Sequence, residues 1–152
     1  MARRPPRPTR TSSSARASAT SRAPRNDAPC LCALPASYGE CCGRFHAATA
    51  AAPTAERLMR ARYSAFAVSN EPYLLTSWHP ATRPSRVDLD PAMRWAGLEI
   101  LATTEGSAFH TTGTVTFRAR YTRRGEEGAL HERSRFERYD GAWVYVEGTF
   151  VE

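Results

Sequence analysis

The spacing of apolar residues predicts two helices in the middle of the chain. Over residues 54–69 apolar side chains recur at helical intervals, at Leu58, Met59, Tyr63 and Phe66. Thr54 is suited to cap the start of this helix, and the opposite face, with Arg57, Arg60 and Ser64, is predicted to be solvated. Pro72 can open a second, shorter helix, and Pro80 ends it, because proline is tolerated only in the first turn of a helix.

The period then changes from helical to alternating, which predicts four β-strands. They cover residues 95–104, 109–122, 129–139 and 143–148, and the Asp140-Gly141 pair predicts a tight hairpin before the last one. The predicted core face of the second strand consists of Phe109, Thr111, Val115, Phe117, Ala119 and Tyr121. Helices followed by an antiparallel meander indicate an α+β domain, in which two helices cover one face of a curved sheet and leave a cone with an open mouth.

Composition divides the chain into a basic tail and a nearly neutral body. The 152 residues have a formal charge of +6, and residues 1–25 hold seven of the 21 arginines and no acid. The rest of the chain has fourteen arginines and fifteen acidic residues. Its charge is therefore nearly balanced, and it lacks the one-sided positive charge of a nucleic-acid-binding domain. Any contact with nucleic acid is therefore expected through the tail.

The first 26 residues are rich in Arg, Ser and Pro, with almost no large apolar side chains, and are predicted to be disordered. Whether they are a targeting segment, a binding arm or a mis-started N-terminus stays open. No apolar run reaches the length of a membrane span, and the start lacks the apolar region of a secretory signal. The expected compartment is the reducing cytoplasm, which favours metal-binding cysteines over disulfides.

All four cysteines fall within thirteen positions, and this cluster is the strongest chemical signal of the sequence. The predicted ligands of one Zn²⁺ are Cys30, Cys32, Cys41 and Cys42. His46 is an alternative fourth ligand, but Cys41 and Cys42 come from one turn beside Gly43, which favours Cys42. Unmetallated thiols or a redox pair are the other interpretations. Four protein ligands leave no open position for a bound water, so the predicted role is structural or that of an interaction surface.

The third predicted strand carries two polar candidates for a pocket. Alternation places Glu132 and Ser134 on the same face as Phe136, so a core on that face would bury them and require partners for them. Glu132 would then serve as a general base or a ligand-binding group. The favoured alternative is an ion pair between Glu132 and an arginine such as Arg62.

Tyr63 and His79 complete the pocket candidates. Tyr63 is more typical of a core residue, and His79 at a helix end is expected to cap the last carbonyls rather than to catalyse. The sequence shows no catalytic-triad order, phosphate-binding loop or dinucleotide fingerprint. We therefore assign no catalytic residue.

With these residues in view, the chain resembles the YchJ-like family of uncharacterised bacterial proteins over about residues 29–149. The resemblance rests on four motifs: Tyr38-x-x-Cys41-Cys42-Gly43-x-x-His46, Pro53-Thr54-Ala55-Glu56-x-Leu58-Met59-Arg60-x-Arg62-Tyr63-Ser64-Ala65-Phe66, Trp78-His79-Pro80-x-Thr82-Arg83 and His131-Glu132-x-Ser134-x-Phe136. It implies a SEC-C zinc motif over residues 27–47 and a domain similar to the nuclear transport factor 2 (NTF2) fold over residues 53–152. In the SecA-like tails that share this motif the fourth ligand is a histidine, whereas this chain has Cys42 at that place.

The chain departs from the family pattern in the first half of the cysteine motif. Where the family has Cys-Pro-Cys-Gly-Ser-Gly, this chain has Cys30-Leu31-Cys32-Ala33-Leu34-Pro35. Ala33 and Pro35 replace two glycines that allow positive φ. This predicts a remodelled first knuckle with a lower affinity for metal.

The expected function is that of a non-catalytic accessory protein, whose zinc knuckle engages a protein or ribonucleoprotein partner beside the NTF2-like domain. The alternative is an enzyme or small-ligand binder that uses the cone, which requires Glu132, His79 and Tyr63 to converge on one cavity. The resemblance also implies a homodimer formed through the open sheet face.

Overall fold

The computed structural model describes residues 23–152, so nearly all of the predicted disordered tail, residues 1–26, lies outside the described part. The helical elements are a 3-10 turn at Tyr38–Glu40, α1 at Cys42–His46, α2 at Ala55–Ala67 and α3 at Glu71–Thr76. The strands are β1 at Met93–Glu105, β2 at Thr112–Arg123, β3 at Glu126–Tyr139 and β4 at Ala142–Phe150.

Side-chain caps define the starts of the two helices of the domain. The Thr54 hydroxyl accepts a hydrogen bond from the Arg57 amide at 3.1 Å, as the sequence predicts for the start of α2. The Asn70 side chain accepts one from the Tyr73 amide at 3.1 Å, and Pro72 lies in the first turn of α3. None of the helices within residues 23–152 is long and apolar enough to cross a membrane.

The four strands form one antiparallel sheet in the order β1-β2-β3-β4. Register shifts interrupt β1 after Trp95 and after Ile100, and another lies between β3 and β4 at Phe136. Such irregularities bend strands and increase twist, which curves the sheet around α2. The core between helix and sheet contains Leu58, Met59, Tyr63, Val115, Phe117, Phe136 and Trp143. The predicted α+β, NTF2-like class is confirmed.

The β2–β3 and β3–β4 hairpins each turn on two residues with positive φ. Arg124 and Gly125 have φ of 52° and 82°, and Asp140 and Gly141 have φ of 50° and 83°. These values match the type I′ turns that suit the twist of antiparallel strands. The Asp140-Gly141 prediction is confirmed, and β3 begins at Glu126, earlier than predicted.

The predicted start of the second strand is wrong. Val115, Phe117 and Ala119 are buried, but Phe109 is 96% exposed and Thr111 is also exposed. Residues before Thr112 instead form a turn in which the Ser107 hydroxyl and His110 Nδ1 hydrogen-bond at 2.7 Å. The alternating pattern of the sequence thus begins before Thr112, the residue at which β2 itself begins.

Candidate functional site

The cysteine-rich segment folds into a compact knuckle before the domain begins. Pro29 and Ser37 form an isolated antiparallel bridge, and the Cys30 amide donates to the Ala36 carbonyl at 2.9 Å. This loop places the Cys30 and Cys32 side chains beside the start of α1, where the second cysteine pair lies. A Cβ at Gly43 would lie 2.6 Å from the Tyr38 carbonyl oxygen, so only glycine allows α1 to approach the preceding turn this closely.

The four cysteine sulfurs all lie within 4.8 Å of one another, and all four residues are buried. The Cys32 and Cys41 sulfurs are 3.5 Å apart, and all four thiols are free. In a tetrahedral site with Zn–S bonds of about 2.3 Å, neighbouring sulfurs are about 3.8 Å apart. The donor set and its spacing therefore fit a zinc ion.

Crowding of the thiols perturbs their protonation. Hydrogen bonds from the Cys32 and Cys42 thiols lower the pKa of Cys30, whereas hydrogen bonding to Cys30 raises the pKa of Cys42. One thiolate is thus favoured at the expense of its neighbours. A divalent cation supplies the positive charge that lets several thiolates share so small a volume.

His46, the alternative fourth ligand, has both ring nitrogens engaged elsewhere. Nε2 lies 2.8 Å from the Ala61 carbonyl oxygen, and Nδ1 lies 2.7 Å from the Tyr38 hydroxyl. Because a carbonyl only accepts, Nε2 carries the proton and Nδ1 accepts from the hydroxyl. Burial also lowers the pKa of His46, which favours this neutral form. The ring ties the knuckle to α2, and Cys42 occupies the fourth place in the cluster.

Ala33 adopts the left-handed conformation, with φ of 73°. The backbone at the first glycine position of the family pattern therefore keeps the shape that glycine would favour, despite the Cβ of alanine. The cost of a left-handed residue is about 1–2 kcal/mol. The substitution is accommodated as local strain at Ala33.

The face of α2 predicted to be solvated is instead covered by the knuckle. Ser64 is 0% exposed, and its hydroxyl lies 3.9 Å from the Cys30 sulfur. Arg60 donates through Nη1 to the Cys32 carbonyl at 2.7 Å, and Ala61 is packed in the same cluster as the cysteines. Helix α2 therefore has two buried faces, one toward the knuckle and one toward the sheet.

A second candidate site is a cavity of about 230 Å³ between α2 and the sheet. Three of the four predicted pocket residues line it, namely Tyr63, Glu132 and Ser134. Most of the remaining wall is apolar or aromatic and includes Phe66, Trp78, Trp95, Phe117 and Tyr145. The predicted convergence is thus largely present.

His79 is the exception, because it lies outside the cavity. Its Nε2 is 3.7 Å from a Glu137 carboxylate oxygen, its ring packs on Tyr139, and its Nδ1 accepts from the Ala81 amide at 3.0 Å. The isolated bridge between Trp78 and Tyr145 directs Trp78 inward and leaves the next side chain pointing away. His79 therefore takes no part in a cavity-based mechanism.

The favoured ion pair between Glu132 and Arg62 is wrong. Within residues 23–152 Glu132 has no ion pair, and burial raises the pKa of its carboxyl group. Arg62 is 3% exposed and donates through Nη1 to the Leu74 carbonyl and the Ser77 hydroxyl, each at 2.7 Å. Burial lowers the pKa of Arg62 to about 10. Neutral acceptors at the end of α3 thus hold the arginine.

Gly148 marks a polar end of the cavity that the sequence did not reveal. A Cβ at Gly148 would lie 3.1 Å from the Tyr145 hydroxyl, 3.4 Å from the Ser134 hydroxyl and 3.5 Å from Glu132 Oε2. The register shift at Phe136 brings Gly148 opposite Ser134. A two-residue hairpin without this shift would pair different residues, so no local signal predicted the convergence.

The sequence was also compared with known families and proteins. Residues 54–148 match the family model described as the middle NTF2-like domain of YchJ. A UPF0225 protein of Streptomyces coelicolor is 68% identical over 124 residues, covering 82% of this chain and 97% of that protein. One of Corynebacterium glutamicum is 50% identical over 119 residues, covering 78% and 94%.

Two solved structures share the architecture. The solution structure of a SEC-C motif containing protein from Rhodopseudomonas palustris is 34% identical with a TM-score of 0.72, and the match covers 81% of this chain and 98% of that one. The crystal structure of a SEC-C motif containing protein from Psychrobacter arcticus is 27% identical with a TM-score of 0.65, and 82% of each chain is covered. Each structure covers a larger share of this chain than residues 54–148, which the NTF2-like family model matches.

Proposed function

This chain belongs to the YchJ-like, UPF0225 family, and we propose that it is a zinc-binding protein whose cysteine knuckle is a structural part of the fold. The observation that carries the proposal is the group of four buried sulfurs within 4.8 Å of one another. The residues that would hold the ion are Cys30, Cys32, Cys41 and Cys42. The ion would neutralise thiolate charge and cross-link the first loop to the start of α1.

The surroundings of the cluster support a structural role over a catalytic one. Four protein ligands complete a tetrahedral zinc site, which leaves no place for a reactive water. The cysteines are at most 7% exposed, and the knuckle packs on α2 through Ala61 and Ser64. Zinc would therefore stabilise the position of a helix that also forms one wall of the cavity.

Binding of a protein or ribonucleoprotein partner by the knuckle remains a prediction, as does a homodimer. Leu31, 42% exposed between two of the cysteines, is an apolar side chain that a partner could cover. A single exposed leucine is common on protein surfaces, however, and needs no partner to explain it. The structural role is therefore the part of the proposal that the geometry supports best.

Elemental analysis and thermal unfolding of the purified full-length chain test this proposal. We expect one zinc ion per chain and a fall in Tm on the order of 10 °C when a chelator removes it, because the ion stabilises only the folded state. Cys41→Ser and Cys42→Ser should each abolish stoichiometric zinc.

His46→Ala is the matched control. It removes a hydrogen-bonding side chain of the same segment, so it should lower Tm but keep the zinc. Wild-type protein that contains no zinc would overturn the proposal. Loss of zinc from His46→Ala together with its retention in Cys42→Ser would overturn the assignment of the fourth ligand.

A further inference from the structure

Aromatic side chains line much of the cavity between α2 and the sheet. Tyr63 and Trp95 form an edge-to-face pair with ring centroids 6.0 Å apart, and Tyr121, which is not part of the lining, packs on Trp95 at 5.8 Å. Trp78 and Tyr145, which also line the cavity, form a second edge-to-face pair at 5.0 Å. Walls of this kind favour a planar, apolar body that can stack against rings.

One end of the cavity presents three polar groups without protein partners. Glu132, the Ser134 hydroxyl and the Tyr145 hydroxyl all surround the space above Gly148, at 3.1–3.5 Å from the position of an added Cβ. Within residues 23–152 none of these three side chains makes a hydrogen bond to protein. An ionised carboxylate only accepts hydrogen bonds, so this end is suited to a ligand that donates a hydrogen bond to Glu132.

Arg62 lines the same cavity from α2. Its guanidinium carbon lies 4.9 Å from the Trp78 ring centroid and 4.5 Å from that of Tyr145. Its protein hydrogen bonds in the described chain use Nη1, which leaves Nε and Nη2 without acceptors. Arg62 therefore supplies the free N–H donors on this side of the cavity.

Charge and size narrow the ligand further. Arg62 contributes one positive group to the cavity wall and Glu132 one negative group. The wall therefore has no net charge, which suits a neutral ligand. The cavity volume of about 230 Å³ is below the roughly 300–1,000 Å³ of pockets for drug-sized ligands. One or two fused rings match that volume.

We propose that this cavity binds a small, neutral heteroaromatic molecule of the lactam type. Its ring N–H donates to the Glu132 carboxylate, its carbonyl oxygen accepts from the free N–H donors of Arg62, and its rings stack between the aromatic walls. The Ser134 and Tyr145 hydroxyls complete the polar end, and the absence of a side chain at Gly148 provides the room. The site is separate from the cysteine cluster.

Isothermal titration calorimetry with a matched pair of probes tests the proposal. The probes are quinolin-2(1H)-one, which has a ring N–H, and its N-methyl derivative, which has the same rings and carbonyl but no donor. We expect the full-length wild-type chain to bind the first probe at least tenfold more tightly. Glu132→Leu should reduce this preference to about onefold, because the acceptor for the N–H is removed.

Two further variants separate loss of the site from loss of the fold. Gly148→Ala fills the polar end and should weaken binding of both probes at least tenfold. Glu127→Leu, on the same strand but exposed, should keep wild-type affinity and preference. Melting temperatures and zinc contents of all variants report on folding separately.

Two results of these titrations would overturn the proposal. A wild-type chain that binds neither probe, or binds both equally, overturns the proposal. A folded Glu132→Leu variant that still prefers the N–H probe also overturns the proposal. The zinc measurements are independent of these results, so failure of this inference leaves the proposed structural role of zinc intact.

Discussion

At the scale of single residues, one of the left-handed non-glycine residues lies inside the loop that carries the first cysteine pair. Ala33 is exposed and has φ of 73°, immediately after the ligand candidate Cys32. Glycine would take this conformation without a Cβ penalty. The first knuckle therefore keeps its shape at the expense of some stability.

Ala33→Gly should raise the free energy of unfolding by about 1 kcal/mol, because it relieves the left-handed strain without removing buried surface. The same change should raise the zinc affinity about fivefold, since an effect of 1.4 kcal/mol corresponds to a factor of ten. Urea unfolding and competition with a chromogenic chelator measure the two quantities.

Ala36→Gly in the same loop is the control, because Ala36 is not left-handed. It should lower the unfolding free energy by about 0.5–1 kcal/mol, through the greater flexibility of glycine in the unfolded chain. Equal losses of stability in both variants would contradict the role assigned to φ at Ala33.

At the scale of elements, α2 connects the knuckle to the domain. Leu58, Met59 and Tyr63 belong to the main core, whereas Ala61 packs in the cysteine cluster. Arg60 adds a directional contact through its hydrogen bond to the Cys32 carbonyl, with 13% of its side chain exposed. The helix is thereby held from two sides.

Arg60→Ala should lower the free energy of unfolding by about 1.5 kcal/mol and speed zinc release, because a charge-assisted hydrogen bond to the ligand loop is lost. Glu56→Gln is the matched control, since it removes only the ion pair between Arg60 and Glu56 on the same helix. In this pair Arg60 Nε lies 3.3 Å from Glu56 Oε2. Partly exposed helical pairs of this kind contribute about 0.3–0.5 kcal/mol. Zinc release at the wild-type rate from Arg60→Ala would show that this contact does not hold the knuckle.

At the scale of the whole molecule, helix α2 contributes residues to both apolar clusters, and the excess positive charge belongs to the first 25 residues. Ala52 and Tyr73 pack against both clusters, so the knuckle and the domain form a continuous interior. The formal charge of +6 arises from the first 25 residues, which carry seven arginines. Stability and overall charge are thus properties of different parts of the chain.

Removal of residues 1–26 should abolish retention on a heparin column at low salt, because counterion release depends on the number of cationic groups. A full-length variant with those seven arginines changed to glutamine is the matched control and should elute with the truncated chain. If either protein elutes at the same salt concentration as the wild type, the folded body and not the tail binds the polyanion.

The helices and strands were largely predictable because their signals are local. Period, the Thr54 cap and the Asp140-Gly141 turn each depend on residues close together in sequence, and all three predictions are confirmed. Phe109 shows the limit of such signals. Its alternation fits a strand, but hydrogen-bond pairing with a neighbouring strand decides where the strand begins.

The sequence by itself determined the fold class, the grouping of the four cysteines and the separation of basic tail from neutral body, because each depends on local spacing or on composition. Only the tertiary structure decided the partners of individual side chains. It covered Ser64 with the knuckle, engaged both nitrogens of His46, separated Arg62 from Glu132 and, through one register shift, placed Gly148 beside Ser134. These contacts join residues distant in the chain, and their energies depend on packing and strand register that no local pattern encodes.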